Sequence, residues 1–155
     1  MHTRQKFGFV TLFAASLFLG LWRLGIPTWN VDEIGYARLG SEYLHGNTTG
    51  GWQHPPFGKY LLGASQFIFG EWAAGSRVVS VLCVLAVAAA LVLVAKKVKG
   101  WNAALVVLAV WTFFPRGALP DHPVRQLDRF ALLDVTAAAL MFVAICLGWV
   151  FRDRG

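Results

Sequence analysis

Residues 78–99 read VVSVLCVLAVAAALVLVAKKVK: Val78 to Ala95 is almost purely valine, leucine and alanine, and lysines at 96, 97 and 99 close the run. A helix crossing a bilayer needs about 20 largely apolar residues, and an apolar stretch of this length ended by charge meets that need. Composition agrees, because 57% of the 155 residues are hydrophobic and 14% are charged, against roughly a quarter charged in soluble domains. The chain is expected to be an all-α membrane protein.

Outward from this run, three more spans are expected. Phe7 to Ile26 follows Arg4 and Lys6 and carries bulky Trp22 where a signal peptide would need a small-x-small cleavage site; it reads as an uncleaved first span. Trp101 to Phe114 is too short alone, so the third span is drawn over 101–119, through Pro115 and Arg116, with a kinked end. Phe130 to Phe151 forms the fourth, interrupted once by Asp134. The spans over 7–26, 78–95, 101–119 and 130–151 make one transmembrane domain over 1–155, with a long loop at 27–76.

Four spans place both termini and the Lys96 to Lys99 loop on one side, with seven basic residues (Arg4, Lys6, Lys96, Lys97, Lys99, Arg152, Arg154) against Asp153. By the positive-inside tendency that side is cytoplasmic, so the long loop is external. The net charge of +6 is thus a topology signal and does not mark nucleic-acid binding, since no basic stripe interleaves with aromatics. Cys83 and Cys146 lie in apolar spans and form no disulfide framework.

The external loop is too polar to span and too apolar to be disordered, and two amphipathic helices lying on the membrane are expected in it. Asn30 can cap the first, with Glu33 three residues on and Tyr36, Leu39 and Tyr43 on one face before Gly46. The second opens at Pro55 or Pro56 and runs to Gly70. HGNTTGGWQ between them reads as a flexible connection whose Asn47-Thr48-Thr49 fits the N-glycosylation pattern.

Each polar group here has an ordinary explanation. The helix dipole favours Asp32 and Glu33 in a first turn by about 0.3–1 kcal/mol each, His54-Pro55-Pro56 can merely punctuate, and Lys59 and Arg77 can serve as interfacial anchors. Asp134 is harder to dismiss, since a carboxylate at the centre of a span costs about 2.5–3.5 kcal/mol, though less near its end.

Taken in order, however, an apolar span, VDEIGYARLGSEYLHG, QHPPFGKYLLG, GSRVVSVL and finally DRFALLDV form a pattern that resembles the N-terminal part of the polytopic GT-C glycosyltransferases that use lipid-phosphate sugars. That superfamily includes the dolichyl-phosphate-mannose protein mannosyltransferases and the bacterial aminoarabinose transferases. The resemblance covers about Phe7 to Phe151. It implies an inverting transfer of a hexose such as mannose from a polyprenyl phosphate to an acceptor hydroxyl of a protein, glycan or lipid. Asp32 would be the base, supported by Glu33 through an ion pair with Arg77. His54, Lys59, Arg77, Arg129 and Asp134 would bind donor phosphate or substrate. No cofactor or metal is expected, because His54 with Asp32 or Glu33 makes at best a partial metal site. Relatives continue through many more spans, so the chain is expected to hold part of an active site, as a fragment, a truncated gene product or one part of a split enzyme, completed by further chain or by self-association. The membrane would be the bacterial inner membrane, or the endoplasmic reticulum with equivalent topology. Two other classes compete with transfer: a non-catalytic module binding a polyprenyl phosphate or a larger partner, and a transporter. The near absence of polar groups in the second and third spans disfavours the transporter.

Overall fold

The computed structural model describes residues 2–22, 24, 25, 31–70, 73–114 and 133–152. The described residues form five helices and no strand: α1 Thr3–Leu21, α2 Val31–Leu44, α3 Pro56–Phe69, α4 Ala73–Phe113 and α5 Leu133–Phe151. Of these, α4 and α5 are long and apolar enough to cross a membrane.

α4 is two helical arms joined at Gly100, whose φ of 78° is outside the helical region. A straight helix rises about 1.5 Å per residue, so Val92 and Ala104 would stand about 18 Å apart along it. Instead Ala88 and Val92 share a core with Ala104 and Leu108, against which Phe9, Leu12 and Phe13 of α1 pack. The arms are therefore folded against each other. Lys96, Lys97 and Lys99, expected in a loop, belong to the helix. Lysine is a good helix former, and a glycine at positive φ is the usual way to end a helix without a Cβ penalty.

Polar contacts fix which helix ends lie together. Gln5 Nε2 donates to Asn102 Oδ1 (3.0 Å), and Lys97 Nζ donates to the carbonyls of Trp149 and Val150 at the end of α5 (3.3 and 2.8 Å). The start of α1, the turn of α4 and the end of α5 thus share one basic end of the bundle. The start of α4, the start of α5 and the α2–α3 pair share the other.

Several boundaries differ from expectation. α1 ends at Leu21, short of Ile26, because the chain is extended at Trp22 (φ −58°, ψ 121°), and the Leu24 carbonyl accepts from Arg77. α4 starts at Ala73, so the long loop ends earlier than 76. The proposed Asn30 cap, the end of the third span beyond Phe114, and residues 130–132 of the fourth lie outside the described residues. α3 follows expectation, with Pro55 as cap and Gly70 at its end.

α2 and α3 cross at two glycines. A Cβ on Gly63 would stand 2.2 Å from the Gly40 carbonyl oxygen, a distance no side-chain movement can relieve. Gly63→Ala should therefore destabilise the chain by about 1–3 kcal/mol through forced separation of the two helices. Gly35→Ala in α2, where nothing lies within 4 Å, should be neutral or slightly stabilising. Thermal midpoints of the two variants in lipid nanodiscs check this.

Candidate functional site

At the non-basic end, the heads of α2 and α4 are joined by a buried ion pair. Arg77 Nε and Nη2 donate to Glu33 Oε1 and Oε2 at 2.6 and 2.7 Å, and Arg77 Nη1 donates to the Leu24 carbonyl at 2.6 Å. Glu33 is 0% and Arg77 3% exposed. The planar guanidinium suits this fork, and one side chain thereby ties together α2, α4 and the segment leaving α1. α3 is fastened to the same heads: Gln66 Nε2 donates to the Ala37 carbonyl and to Ser76 Oγ, and Ser65 Oγ donates to the Gly75 carbonyl.

Because neighbouring helical positions are rotated by about 100°, burial of Glu33 turns Asp32 outward, and Asp32 is exposed. Tyr36, four residues on, shares its face. The Tyr36 hydroxyl is 3.2 Å from His54 Nε2, with the two rings edge to face at 5.2 Å. Partial burial pushes the Tyr36 phenol up from its ordinary range, and the nearby carboxylates of Asp134 and Asp32 push in the same direction. These two acids are far apart in sequence, yet both act on this one hydroxyl.

Packing explains how Asp134 arrives. Leu133, the first residue of α5, joins Leu62 and Val79 in a core that Tyr36 also touches, and its Cδ2 stands 2.7 Å from where a Cβ on Gly58 would be. That contact sets the first turn of α5 beside α2 and α3. Asp134 is therefore in a helical first turn and exposed, where the dipole favours it, and not in the middle of an apolar span.

Lys59 has a different surrounding from the one expected at a donor phosphate. It is 0% exposed, and its ammonium donates to the Tyr43 hydroxyl (3.1 Å), to the His54 carbonyl (2.9 Å) and to the Gly51 carbonyl. An ammonium has three N–H donors, so all three are spent on protein acceptors. Tyr43 in turn donates to the Gly50 carbonyl at 3.0 Å. The connection expected to be flexible is thus strapped to α2 and α3 at 50, 51 and 54. Lys59→Met should leave these acceptors without a donor, at about 1–3 kcal/mol for a buried unsatisfied group. Amide exchange over residues 46–55 should then quicken well above the native rate; unchanged exchange would show that the strap is not Lys59.

The structure sets His54 against Tyr36 and brings the carboxylates of Asp32 and Asp134 within electrostatic reach of the Tyr36 hydroxyl, with Glu33–Arg77 buried next to Asp32 and Lys59 bonded to the loop that carries His54. Arg129 lies outside the described residues. Their spacing puts Tyr36 and Tyr43 on one helix face and gives neither a polar role. The four-residue step from Asp32 to Tyr36 was the available signal for the first. Among the described residues, no three His, Cys, Asp or Glu side chains group as metal ligands.

The helices and this polar end define a membrane-associated chain with a titratable cluster at one face. Over 94 residues it is 34% identical to an undecaprenyl phosphate-alpha-4-amino-4-deoxy-L-arabinose arabinosyl transferase of Pseudomonas savastanoi pv. phaseolicola, a match that takes in 53% of this chain and 17% of that protein. The chain thus spans about a sixth of the length of the curated relative it matches. No family model and no solved structure matches it.

Proposed function

We propose that this chain carries part of the active site of a membrane glycosyltransferase that takes a sugar from a polyprenyl-phosphate donor. The observation that carries this reading is the head of α2, where the buried Glu33–Arg77 pair holds Asp32 outward beside Tyr36, His54 and Asp134. The relative's name, which prints an undecaprenyl phosphate and a sugar transfer, supports it independently.

A sugar on a lipid phosphate already has a good leaving group, so the chemistry needs one base and stabilisation of the departing charge. The acceptor oxygen attacks the anomeric carbon, the bond to the phosphate oxygen breaks with its electron pair, and Asp32 takes the acceptor proton. A single displacement of this kind inverts the anomeric centre. His54 and Arg129 are assigned to the phosphate and Asp134 to the sugar or acceptor. Arg77 and Lys59 act by holding the α2 head and the His54 loop. The sugar is a hexose such as mannose, or a pentose of the kind in the relative's name.

Location follows from the donor, whose tail stays in the bilayer while its sugar meets an aqueous acceptor. Trp52 and, on α3, Phe57, Phe67 and Ile68 are exposed, and supply the apolar surface that would seat this end at the outer membrane interface. The test is transfer of a labelled sugar from a synthetic polyprenyl-phosphate sugar by membranes containing the chain. Transfer that requires Asp32 supports the reading. Binding of the same lipid without transfer, unchanged in Asp32→Asn, would favour the non-catalytic module.

A further inference from the structure

With the donors of Lys59 spent on protein acceptors and each nitrogen of Arg77 already donating, the site needs another described group to meet an anionic lipid. His54 is held on several sides for such a task. Its backbone N–H donates to the Gly51 carbonyl at 3.1 Å, its carbonyl accepts from Lys59, and its ring stands perpendicular to that of Tyr36. Tyr36 is itself fixed by packing on the core of Leu62, Val79 and Leu133. With the backbone of His54 tied on both sides and its ring against Tyr36, the donor it can offer depends on which ring nitrogen carries the proton, and that is decided by the hydrogen bond the other nitrogen makes.

We propose that Tyr36 is a positioning residue for His54: its hydroxyl donates to Nε2 and holds the imidazole as the Nδ1–H tautomer, so that Nδ1–H is the donor offered to a polyprenyl phosphate. This rests on the proposed use of a lipid-phosphate donor. A phenol that keeps its proton can give it to the unprotonated nitrogen of an imidazole, and at 3.2 Å the Tyr36 hydroxyl is the described group within hydrogen-bond reach of Nε2. Without the hydroxyl, nothing among the described residues sets that choice, and the tautomer favoured by free imidazole in water, with the proton on Nε2, takes over.

The experiment uses the full chain, labelled with ¹⁵N-histidine, in nanodiscs, with the His54 resonances assigned by their loss in His54→Gln. In the native chain the Nε2 resonance should be that of an unprotonated nitrogen and Nδ1 that of N–H, and undecaprenyl phosphate should move the Nδ1 signal. Tyr36→Phe keeps the ring and its packing. It should switch the tautomer and raise half-saturation by undecaprenyl phosphate about tenfold, the equivalent of one good hydrogen bond. His54→Gln should cost about as much, and the double variant little more than either alone. An Nε2–H tautomer in the native chain, a Tyr36→Phe chain with unchanged tautomer, losses that add in full, or a lipid that leaves Nδ1 unmoved would each overturn the proposal. Transfer is not the readout, so the two ideas fail separately. A lipid-dependent tautomer effect without sugar transfer would remove the transferase reading alone, and Asp32-dependent transfer with an indifferent His54 would remove this one alone.

Discussion

Glu33→Ala should cost about 3–5 kcal/mol, the penalty for leaving one member of a buried ion pair uncompensated. Arg77 is 3% exposed and aims two of its nitrogens at the lost carboxylate, and the packed heads of α2 and α4 give water little room to replace it. The folded fraction recovered after extraction into mild detergent should fall sharply, as should protection of α2 from exchange. Replacing both partners with apolar residues of similar size, Glu33→Leu with Arg77→Met, should recover most of the stability, since such replacements are often neutral or better. The pair's contribution is then one of geometry, and the double variant should fold yet present Asp32 less exactly. A single variant as stable as the native chain would contradict the structural account of this junction.

Asp32→Asn should reduce sugar transfer by about 10²–10⁴-fold, the usual contribution of a positioned base, while donor binding and stability stay near native. Asparagine has nearly the same shape but cannot accept the acceptor's proton. Because Asp32 is exposed, its replacement removes no buried charge, which separates it from Glu33 one position along. Asp32→Glu should retain more activity than Asp32→Asn, with a carboxylate present but displaced. Equal transfer by all three chains would assign the proton to another group.

The contrast between these neighbours also shows how far the sequence can be read. The apolar runs, the proline that opens α3 and the glycine that ends it were legible because each is a local signal. The adjacent acids were legible as a pair, and the Glu33–Arg77 partnership entered only through the family resemblance. What could not be read depends on contacts between distant residues. α1 stops at Leu21 where the Leu24 carbonyl serves Arg77, 53 residues away. The lysines before Gly100 read as a loop because charge resembles a boundary in a hydropathy profile, whereas their backbone remains helical. Lys59 read as a cation for a phosphate, but its acceptors are a tyrosine hydroxyl and two loop carbonyls, which carry no signature in side-chain order. Tyr36 belongs to an apolar face by its spacing, and its contact with His54 and the nearness of Asp134 depend on residues distant in sequence.

On the proposed function, the cluster around Asp32, Tyr36, His54 and Asp134 receives the head of a polyprenyl-phosphate sugar. The most direct test is photo-crosslinking of the full chain in nanodiscs by a polyprenyl-phosphate sugar with a diazirine on the sugar, mapped by mass spectrometry. Adducts are expected within residues 31–36, 51–57 and 133–137, removed by excess unlabelled donor and not by the corresponding polyprenyl alcohol. Adducts confined to the basic end around Lys97 and Trp149, or adducts that the alcohol removes equally well, would contradict it.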